Sequence, residues 1–369
     1  MNSEKKDEYF MRLALRLAEK GKGKTNPNPL VGAVVVKNGR VCGRGYHKKA
    51  GMPHAEKVAI EDAGSDAKGA TLYVNLEPCC HHEKKTPPCT SLIANSGITR
   101  VVIGCIDPNP YVSGRGIKEL DDAGIEVTTG ILEEESKRLN EVFFKYITTK
   151  KPFVILKAAI TIDGKIATST GKSQWITGEK ARQAVHRLRN QVDAVLVGIG
   201  TILKDNPNLT ARTKSKKAKD PCRVIVDSLL NIPLDSNVLI QKSSAPTYIV
   251  TTKPVPEDRV KHLKDLGAKI LFFDSINNHI SLNQLMIRLG EIGITSVMIE
   301  GGSRINASAL RERIVDKIIL FVAPKILGGK NAIGMVGGIS PESLEDAIVI
   351  KWSRLRRVGD DIMVEGYVV

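Results

Sequence analysis

The chain has 369 residues, 42% of them apolar and 26% charged. That leaves room for two domains with sizeable cores and excludes a mainly disordered chain; no apolar run reaches the ~18 residues a membrane span needs. Lys and Arg number 55 against 40 Asp and Glu, a net charge of +15, which points to anionic partners: nucleic acid, phosphorylated metabolites or a nucleotide cofactor.

Residues 9–20 carry apolar side chains at helical spacing, mixed with acids and without the apolar stretch of a secretory signal, so a cytoplasmic protein is expected. A buried strand follows at 30–36. Asn38-Gly39 is a hairpin turn, and 41–46 returns as the partner strand. Helices are predicted at 54–63, 91–96, 116–123 and 133–146, and strands at 70–76, 100–105 and 125–129. This is an α/β sandwich around one mixed sheet. A new pattern opens at Lys151-Pro152, with strands at 153–156, 194–197, 223–226, 247–250, 269–273 and 296–299 and helices between them. Segments 315–322 and 361–369 predict an antiparallel finish. The boundary is placed near Thr148, giving domains 1–147 and 148–369.

Charge and cysteine divide along the same line. Residues 1–147 hold 22 basic and 19 acidic residues, net +3, leaving 33 and 21, net +12, for the rest. Lys214, Lys216, Lys217 and Lys219 form one run. It reads as a solvated loop, because a nucleic-acid surface interleaves aromatics. Cys42, Cys79, Cys80, Cys89 and Cys105, five of the six cysteines, lie in the first 105 residues. In a cytosolic chain such a cluster reads as metal binding or catalysis before disulfides.

His54-Ala55-Glu56 opens a predicted helix, Glu77-Pro78-Cys79 closes a predicted strand, and Cys89 follows Pro87-Pro88. One imidazole and two thiolates make a three-ligand zinc site whose fourth tetrahedral position is open to water. Zinc lowers the pKa of such a water to about 7. A carboxylate two residues past the histidine, here Glu56, can move the proton without ligating the metal. The expected chemistry is hydrolytic attack on an amidine-like carbon with loss of ammonia. Either short motif alone is ordinary structure; their order, followed by a further Cys, carries the assignment. The usual deaminase signature is P-C-x-x-C, whereas nine residues separate Cys79 from Cys89. Cys80, His81 and His82 are therefore rival ligands, although adjacent side chains such as Cys79 and Cys80 point apart in most backbones.

In the second half two glycine-bearing turns follow apolar strands: Gly198-Ile199-Gly200-Thr201 and Gly301-Gly302-Ser303. Glycine lets a backbone approach phosphate, and a helix N-terminus supplies N–H donors. Neither turn is G-x-G-x-x-G, so the pattern departs from a Rossmann fingerprint. Two such turns in a basic domain favour a phosphorylated dinucleotide. Polar loops at 173–178 and 205–212, with Lys157 and Asp163-Gly164-Lys165, add ligand-type residues near the strands.

These stretches together resemble the bifunctional riboflavin-biosynthesis deaminase/reductase family over nearly the whole chain. The matching residues are Pro27-Asn28-Pro29-Leu30-Val31-Gly32, Gly45-Tyr46-His47, Ala50-Gly51, Pro53-His54-Ala55-Glu56, Glu77-Pro78-Cys79, Thr86-Pro87-Pro88-Cys89 and Asp107-Pro108-Asn109-Pro110 in the first half. In the second they are Thr161-Ile162-Asp163-Gly164-Lys165-Ile166-Ala167, Ser173-Gln174-Trp175-Ile176-Thr177, Gly200-Thr201, Asp205-Asn206-Pro207 with Leu209-Thr210, Arg212, and Glu300-Gly301-Gly302. In this family the long Cys79-to-Cys89 spacing is close to normal. The sequence departs from it in Lys57-Val58-Ala59, where the family has Val-His-Ala, and in a loop after Cys80 that is one residue longer.

The resemblance implies a cytidine-deaminase-like three-layer α/β/α domain followed by a dihydrofolate-reductase-like α/β domain. It implies zinc-dependent deamination of 2,5-diamino-6-(5-phosphoribosylamino)pyrimidin-4(3H)-one, then NADPH reduction of the ribosyl to the ribityl side chain. By position, His54, Cys79 and Cys89 are the zinc ligands, Glu56 is catalytic, and Asn28, His47, Asp107 and Asn109, with Lys84 or Lys85, bind the pyrimidine. Ala159, Trp175, Thr201, Asp205 and the turn Gly302, Ser303, Arg304, Ile305, Asn306, Ala307 and Ser308 line NADPH. Ser173, Arg189, Leu209, Arg212 and Glu300 hold the phosphoribosyl substrate, and Lys157 polarises or protonates the sugar oxygen. The expected partners are phosphorylated pyrimidines, with no nucleic acid and no membrane, in a homo-oligomer. A base deaminase acting on nucleic acid would need basic residues around the first half, and a zinc-stabilised scaffold would need a closed fourth ligand and no Glu56.

Overall fold

The structure, a computed structural model, describes residues 3–80, 88–213, 218–274 and 280–369. The chain divides into two compact units, Met1–Lys150 and Lys151–Val369. Thr148, where the sequence placed the junction, lies in the last helix of the first unit.

In the first unit the order is α1 (Ser3–Ala18), β1 (Gly32–Lys37), β2 (Arg40–Tyr46), α2 (Ala55–Ala63), β3 (Thr71–Leu76), α3 (Cys89–Asn95), β4 (Arg100–Cys105), α4 (Arg115–Asp122), β5 (Glu126–Thr129), α5 (Glu133–Leu139) and α6 (Glu141–Thr149). The sheet runs β2-β1-β3-β4-β5; β2, β1 and β3 pair antiparallel, and β3, β4 and β5 pair parallel. Asn38 and Gly39 join the first hairpin at φ 51° and 75°, as a two-residue turn with both central residues left-handed requires. Alternation along the strands fills two cores. Val34, Val36, Tyr73 and Val102 pack with Phe10, Met11 and Ala14 of α1. Ala33, Val35, Leu72, Val74 and Ile103 pack with α2, α3 and α4 through Ala59, Ile93 and Leu120. The unit is therefore three layers, helix on sheet on helix. Glycine at 45 lets α2 close on β2, since a Cβ there would collide with the Ala55 carbonyl oxygen. The helix predicted over 133–146 is instead two helices that meet at Asn140, whose backbone leaves the helical conformation at φ −105° and ψ 18° and whose side chain bonds the Leu30 backbone.

The second unit comprises β6 (Phe153–Thr161), β7 (Lys165–Ala167), α7 (Glu179–Arg189), β8 (Ala194–Gly198), α8 (Ile199–Asp205), β9 (Cys222–Val226), α9 (Asn237–Ile240), β10 (Thr247–Thr252), α10 (Glu257–Asp265), β11 (Lys269–Phe273), α11 (Leu282–Glu291), β12 (Ser296–Ile299), α12 (Ser303–Arg311), β13 (Lys317–Ala323), β14 (Ile333–Gly334), β15 (Ile350–Val358) and β16 (Asp361–Val368). Nine strands form one sheet in the order β11-β10-β9-β8-β12-β6-β13-β16-β15. The first seven are parallel, and β16 and β15 close it as an antiparallel hairpin. Val154, Leu156, Leu196 and Val297 pack with Leu285 and Leu289 of α11 and Ala309 of α12. The sequence showed β16 but not β15. Its residues, IKWSRLRRV, are mostly exposed at the sheet edge and four of the nine are charged, so no apolar alternation marks them.

Candidate functional site

The first site gathers where β3, α2 and α3 end or begin. His54 precedes α2, Cys79 lies just past β3, and Cys89 is the first residue of α3. His54 Nδ1 lies 3.2 Å from Cys89 Sγ and 3.6 Å from Cys79 Sγ, and one donor atom from each of the three falls within 4.8 Å of the others. Cys80 stands apart from this group, its Sγ directed at the Tyr111 carbonyl oxygen 3.8 Å away. His81 and His82 lie outside the described residues, as do Lys84 and Lys85.

The donor set suits a soft-to-borderline cation. Cys79 is pushed well below the usual thiol range, first by the hydrogen bond from Cys89 and further by His54; the same bond holds Cys89 well above that range. The sulfur pair thus gives up its first proton readily and shares the second, the position a metal ion takes over. Glu56, 3% exposed, is pushed up by burial and then by the Cys79 sulfur. Its Oε2 finds no hydrogen-bond partner among the described residues. A buried carboxylate oxygen left unpartnered beside three metal-type donors fits a site that holds zinc and a water. Replacing Cys89 by Ala removes one of the three donors; metal analysis of Cys89→Ala should show most of the zinc gone, and wild-type zinc content would reject it as a ligand.

Around this cluster the His47 and His54 rings meet edge-on, 5.5 Å between centroids. His47 Nδ1 donates to the Pro53 carbonyl oxygen at 3.1 Å, which makes Nε2 the acceptor for the Asn28 amide, 3.2 Å away. Asp107 is buried and its Oδ1 accepts the Asn109 N–H at 2.8 Å. Two buried asparagines missed in the sequence hold the Asn28 loop. Asn75 accepts the Gly32 N–H at 2.8 Å and donates to the Leu30 carbonyl at 2.9 Å. Asn140 accepts the Leu30 N–H at 2.8 Å and donates to the same carbonyl at 3.0 Å. The available signal was an amide side chain in the apolar run Thr71-Leu72-Tyr73-Val74-Asn75-Leu76.

In the second unit Lys157, Arg189 and Glu300 converge. Glu300 follows β12, the neighbour of β6, which carries Lys157. Lys157 Nζ lies 2.9 Å from Glu300 Oε2, and Arg189 grips the same carboxylate through Nε at 2.7 Å and Nη2 at 3.0 Å. Burial pushes the Glu300 carboxyl up, but Arg189 and Lys157 more than offset it and hold it well below the usual carboxylate range. Arg189 Nη1 and His186 Nδ1 also reach the Thr210 carbonyl oxygen, each at 3.1 Å, so the 205–212 loop is tied to this cluster. Arg212 is exposed, whereas Leu209 is buried at φ 56°, its side chain turned inward. Ser173 donates to Asp205 Oδ1 at 3.3 Å. The Trp175 ring is exposed and stacked on Arg182, 4.5 Å from its guanidinium, and the Trp175 carbonyl takes a hydrogen bond from Lys325.

The two glycine turns lie side by side at the carboxyl ends of β8 and β12. Their four glycines do different work. A Cβ on Gly198 or Gly301 would meet Ile305 at 2.8 and 2.9 Å, so these two seat α12 against the sheet instead of admitting phosphate. Gly200 faces open space, and a Cβ on Gly302 would come no closer than 4.0 Å, to Thr201 Oγ1. That cradle, over the free N–H groups that open α12, suits a dinucleotide phosphate. Within it Ile305 packs on the core, and Asn306 and Ala307 are buried, so Gly302, Ser303, Arg304 and Ser308 are the part still reachable. Ala159 is half-buried on β6, opposite Phe321 of β13.

Fold and site define a two-part protein: a unit with a zinc-deaminase-type donor set, followed by a largely parallel-sheet unit with a cradle for a dinucleotide phosphate. The description "Cytidine and deoxycytidylate deaminase zinc-binding region" matches residues 4–105, and "RibD C-terminal domain" matches 152–364. The riboflavin biosynthesis protein RibD of Aquifex aeolicus is 46% identical over 358 residues, covering 97% of each chain. RibD of Escherichia coli is 38% identical, covering 96% of this chain and 98% of its own. The crystal structure of a diaminohydroxyphosphoribosylaminopyrimidine deaminase/5-amino-6-(5-phosphoribosylamino)uracil reductase from Thermotoga maritima superposes with a TM-score of 0.87 at 40% identity, covering 99% of both chains. Acinetobacter baumannii RibD gives 0.88 at 36% identity over the full length of both. The chain belongs to the RibD family of riboflavin biosynthesis proteins and is a bifunctional deaminase and NADPH-dependent reductase with a zinc-binding deaminase domain.

Proposed function

We propose that residues 1–147 deaminate 2,5-diamino-6-(5-phosphoribosylamino)pyrimidin-4(3H)-one and that residues 148–369 reduce the ribosyl group of the product to ribityl. The observation that carries the first step is the convergence of His54, Cys79 and Cys89 within 4.8 Å beside a buried Glu56 oxygen, Oε2, that no described residue bonds. Zinc held by those three residues supplies the Lewis acidity that makes water a nucleophile near neutral pH. Glu56 accepts a proton from that water and passes it to the departing amino group, so that water and the C–NH2 carbon become C=O and ammonia. Asn28, anchored through His47, and the Asp107–Asn109 loop hold the pyrimidine ring, with Lys84 or Lys85 against its substituents.

In the second unit NADPH supplies the hydride. The cradle at Gly200 and Gly302, with Ala159, Thr201, Asp205 and Trp175, receives the cofactor. Arg212, Ser173 and the Arg189–Glu300 pair take the phosphoribosyl group, and Lys157 polarises or protonates the sugar oxygen as hydride arrives. The net charge of +12 over 148–369 suits a phosphosugar and a 2′-phosphorylated cofactor. Incubation with the diaminopyrimidine phosphate, followed by NADPH, should give a product mass that first loses ammonia against water and then gains two hydrogens. Absence of the first change rejects the deaminase assignment, and absence of the second rejects the reductase assignment.

The reading extends to a cytoplasmic homo-oligomer. No helix among the described residues is long and apolar enough to cross a membrane, and all six cysteines are free, as a reducing compartment favours. Trp352, Leu355 and Ile362 are exposed on the β15–β16 hairpin, whose outer edge has no strand beside it among the described residues. Exposed apolar side chains grouped in this way favour cover by a second copy. Sedimentation should find an oligomer that Leu355→Asp weakens; a monomeric wild type rejects it.

A further inference from the structure

Glu77 follows β3 and is buried, 3% exposed, yet neither the metal nor the proton transfer calls for it. Its carboxylate collects four backbone N–H groups. Oε2 accepts from Asp107 and Gly114, both at 3.1 Å; Oε1 accepts from Gly116 at 3.0 Å and Ile117 at 3.3 Å. Three of these donors open α4, which has no side-chain N-cap and no acid in its first turn. A charged acceptor from outside the helix thus satisfies its free N–H groups. The fourth, Asp107, starts a relay: Asp107 Oδ1 accepts the Asn109 N–H at 2.8 Å and Asn109 Oδ1 accepts the Tyr111 N–H at 3.1 Å. Asp107 and Asn109 are therefore placed relative to a backbone that hangs on Glu77. The fit is close, since a Cβ on Gly116 would collide with the Pro78 carbonyl oxygen and lie 3.1 Å from Glu77 Oε1.

We infer that Glu77 is a positioning residue for deamination, fixing the 107–117 segment in the shape that meets the pyrimidine. The inference rests on the reading that Asp107 and Asn109 touch the substrate ring. Glutamine has the same shape but keeps one acceptor oxygen; its amide nitrogen would face two N–H donors, and the segment would lose two of its four ties. Glu77→Gln, assayed in the full chain, should raise KM for the diaminopyrimidine phosphate by up to roughly 100-fold, the order that a misplaced positioning group costs. Zinc content, kcat and NADPH-dependent reduction of the deaminated product should stay near wild type. Glu77→Ala, which removes all four ties, should be worse in KM than Gln; should it fail to fold, the Gln variant carries the test alone. A KM within twofold of wild type overturns the inference, as does zinc loss with kcat loss at unchanged KM, which would mean that Glu77 acts through Cys79. Asp107→Ala separates the underlying reading: unchanged KM there overturns that reading and the inference together. Raised KM there with an unaffected Glu77→Gln overturns the inference alone.

Discussion

Glu56→Gln should stop ammonia release while leaving the zinc in place. The substitution keeps the volume and the buried setting but removes the group that takes and returns a proton. Positioned acid–base groups contribute about 10²–10⁴-fold, and the deaminase rate should fall by that order. The ligands His54, Cys79 and Cys89 are untouched, so metal analysis should still find zinc. NADPH oxidation with the deaminated product should be unaffected, because that chemistry belongs to the Lys151–Val369 unit. Ammonia assays, metal analysis and NADPH absorbance on one preparation check all three. Retained ammonia release would reject Glu56 as the proton carrier.

Glu300→Ala should damage the second unit in both stability and activity. It leaves Lys157 and Arg189, with side chains only 12% exposed, facing each other without the carboxylate between them. Removing one partner of a buried ion pair costs about 3–5 kcal/mol, since the remaining charges lose their compensation. The sign with pH follows from the same contact. In the folded chain the Glu300 carboxyl is held below its ordinary value of 4.5. Its contribution is therefore fully present above that value and is lost as pH falls below it. Denaturation of the full chain should show the transition of the second unit moving to lower urea in Glu300→Ala at pH 7, with that difference shrinking under acid conditions. Reduction should be lost as well, because Lys157 and Arg189 are no longer held where the sugar is expected. An unchanged midpoint at pH 7 would contradict this account of the cluster.

Much of this site was legible because its chemistry is local. The His54, Cys79 and Cys89 motifs each sit at the end of a strongly patterned element, so the strand and helix ends themselves carry the donors together. Asn38-Gly39 was legible for the same reason, its turn chemistry being written in two residues. The clamps were not legible. Asn75, Asn140 and Glu77 act on backbone atoms of distant loops, and Asn140 lies 110 positions from the Leu30 it holds. Only the folded chain shows that pairing. The glycine turns were legible as turns, yet the division of labour within them was not, because Ile305 of α12 presses on Gly198, over 100 positions earlier, as well as on the Gly301 that precedes its own helix. β15 escaped notice because a charged edge strand has no buried face to pattern it.

X-ray absorption at the zinc edge of the purified full-length protein tests the foundation of the account. The expected shell is two sulfurs at about 2.3 Å, one imidazole nitrogen at about 2.0–2.1 Å and one light atom from solvent. A shell of four protein donors, or one without the two sulfurs, would mean that these residues do not leave room for water beside Glu56, and the hydrolytic assignment would fall.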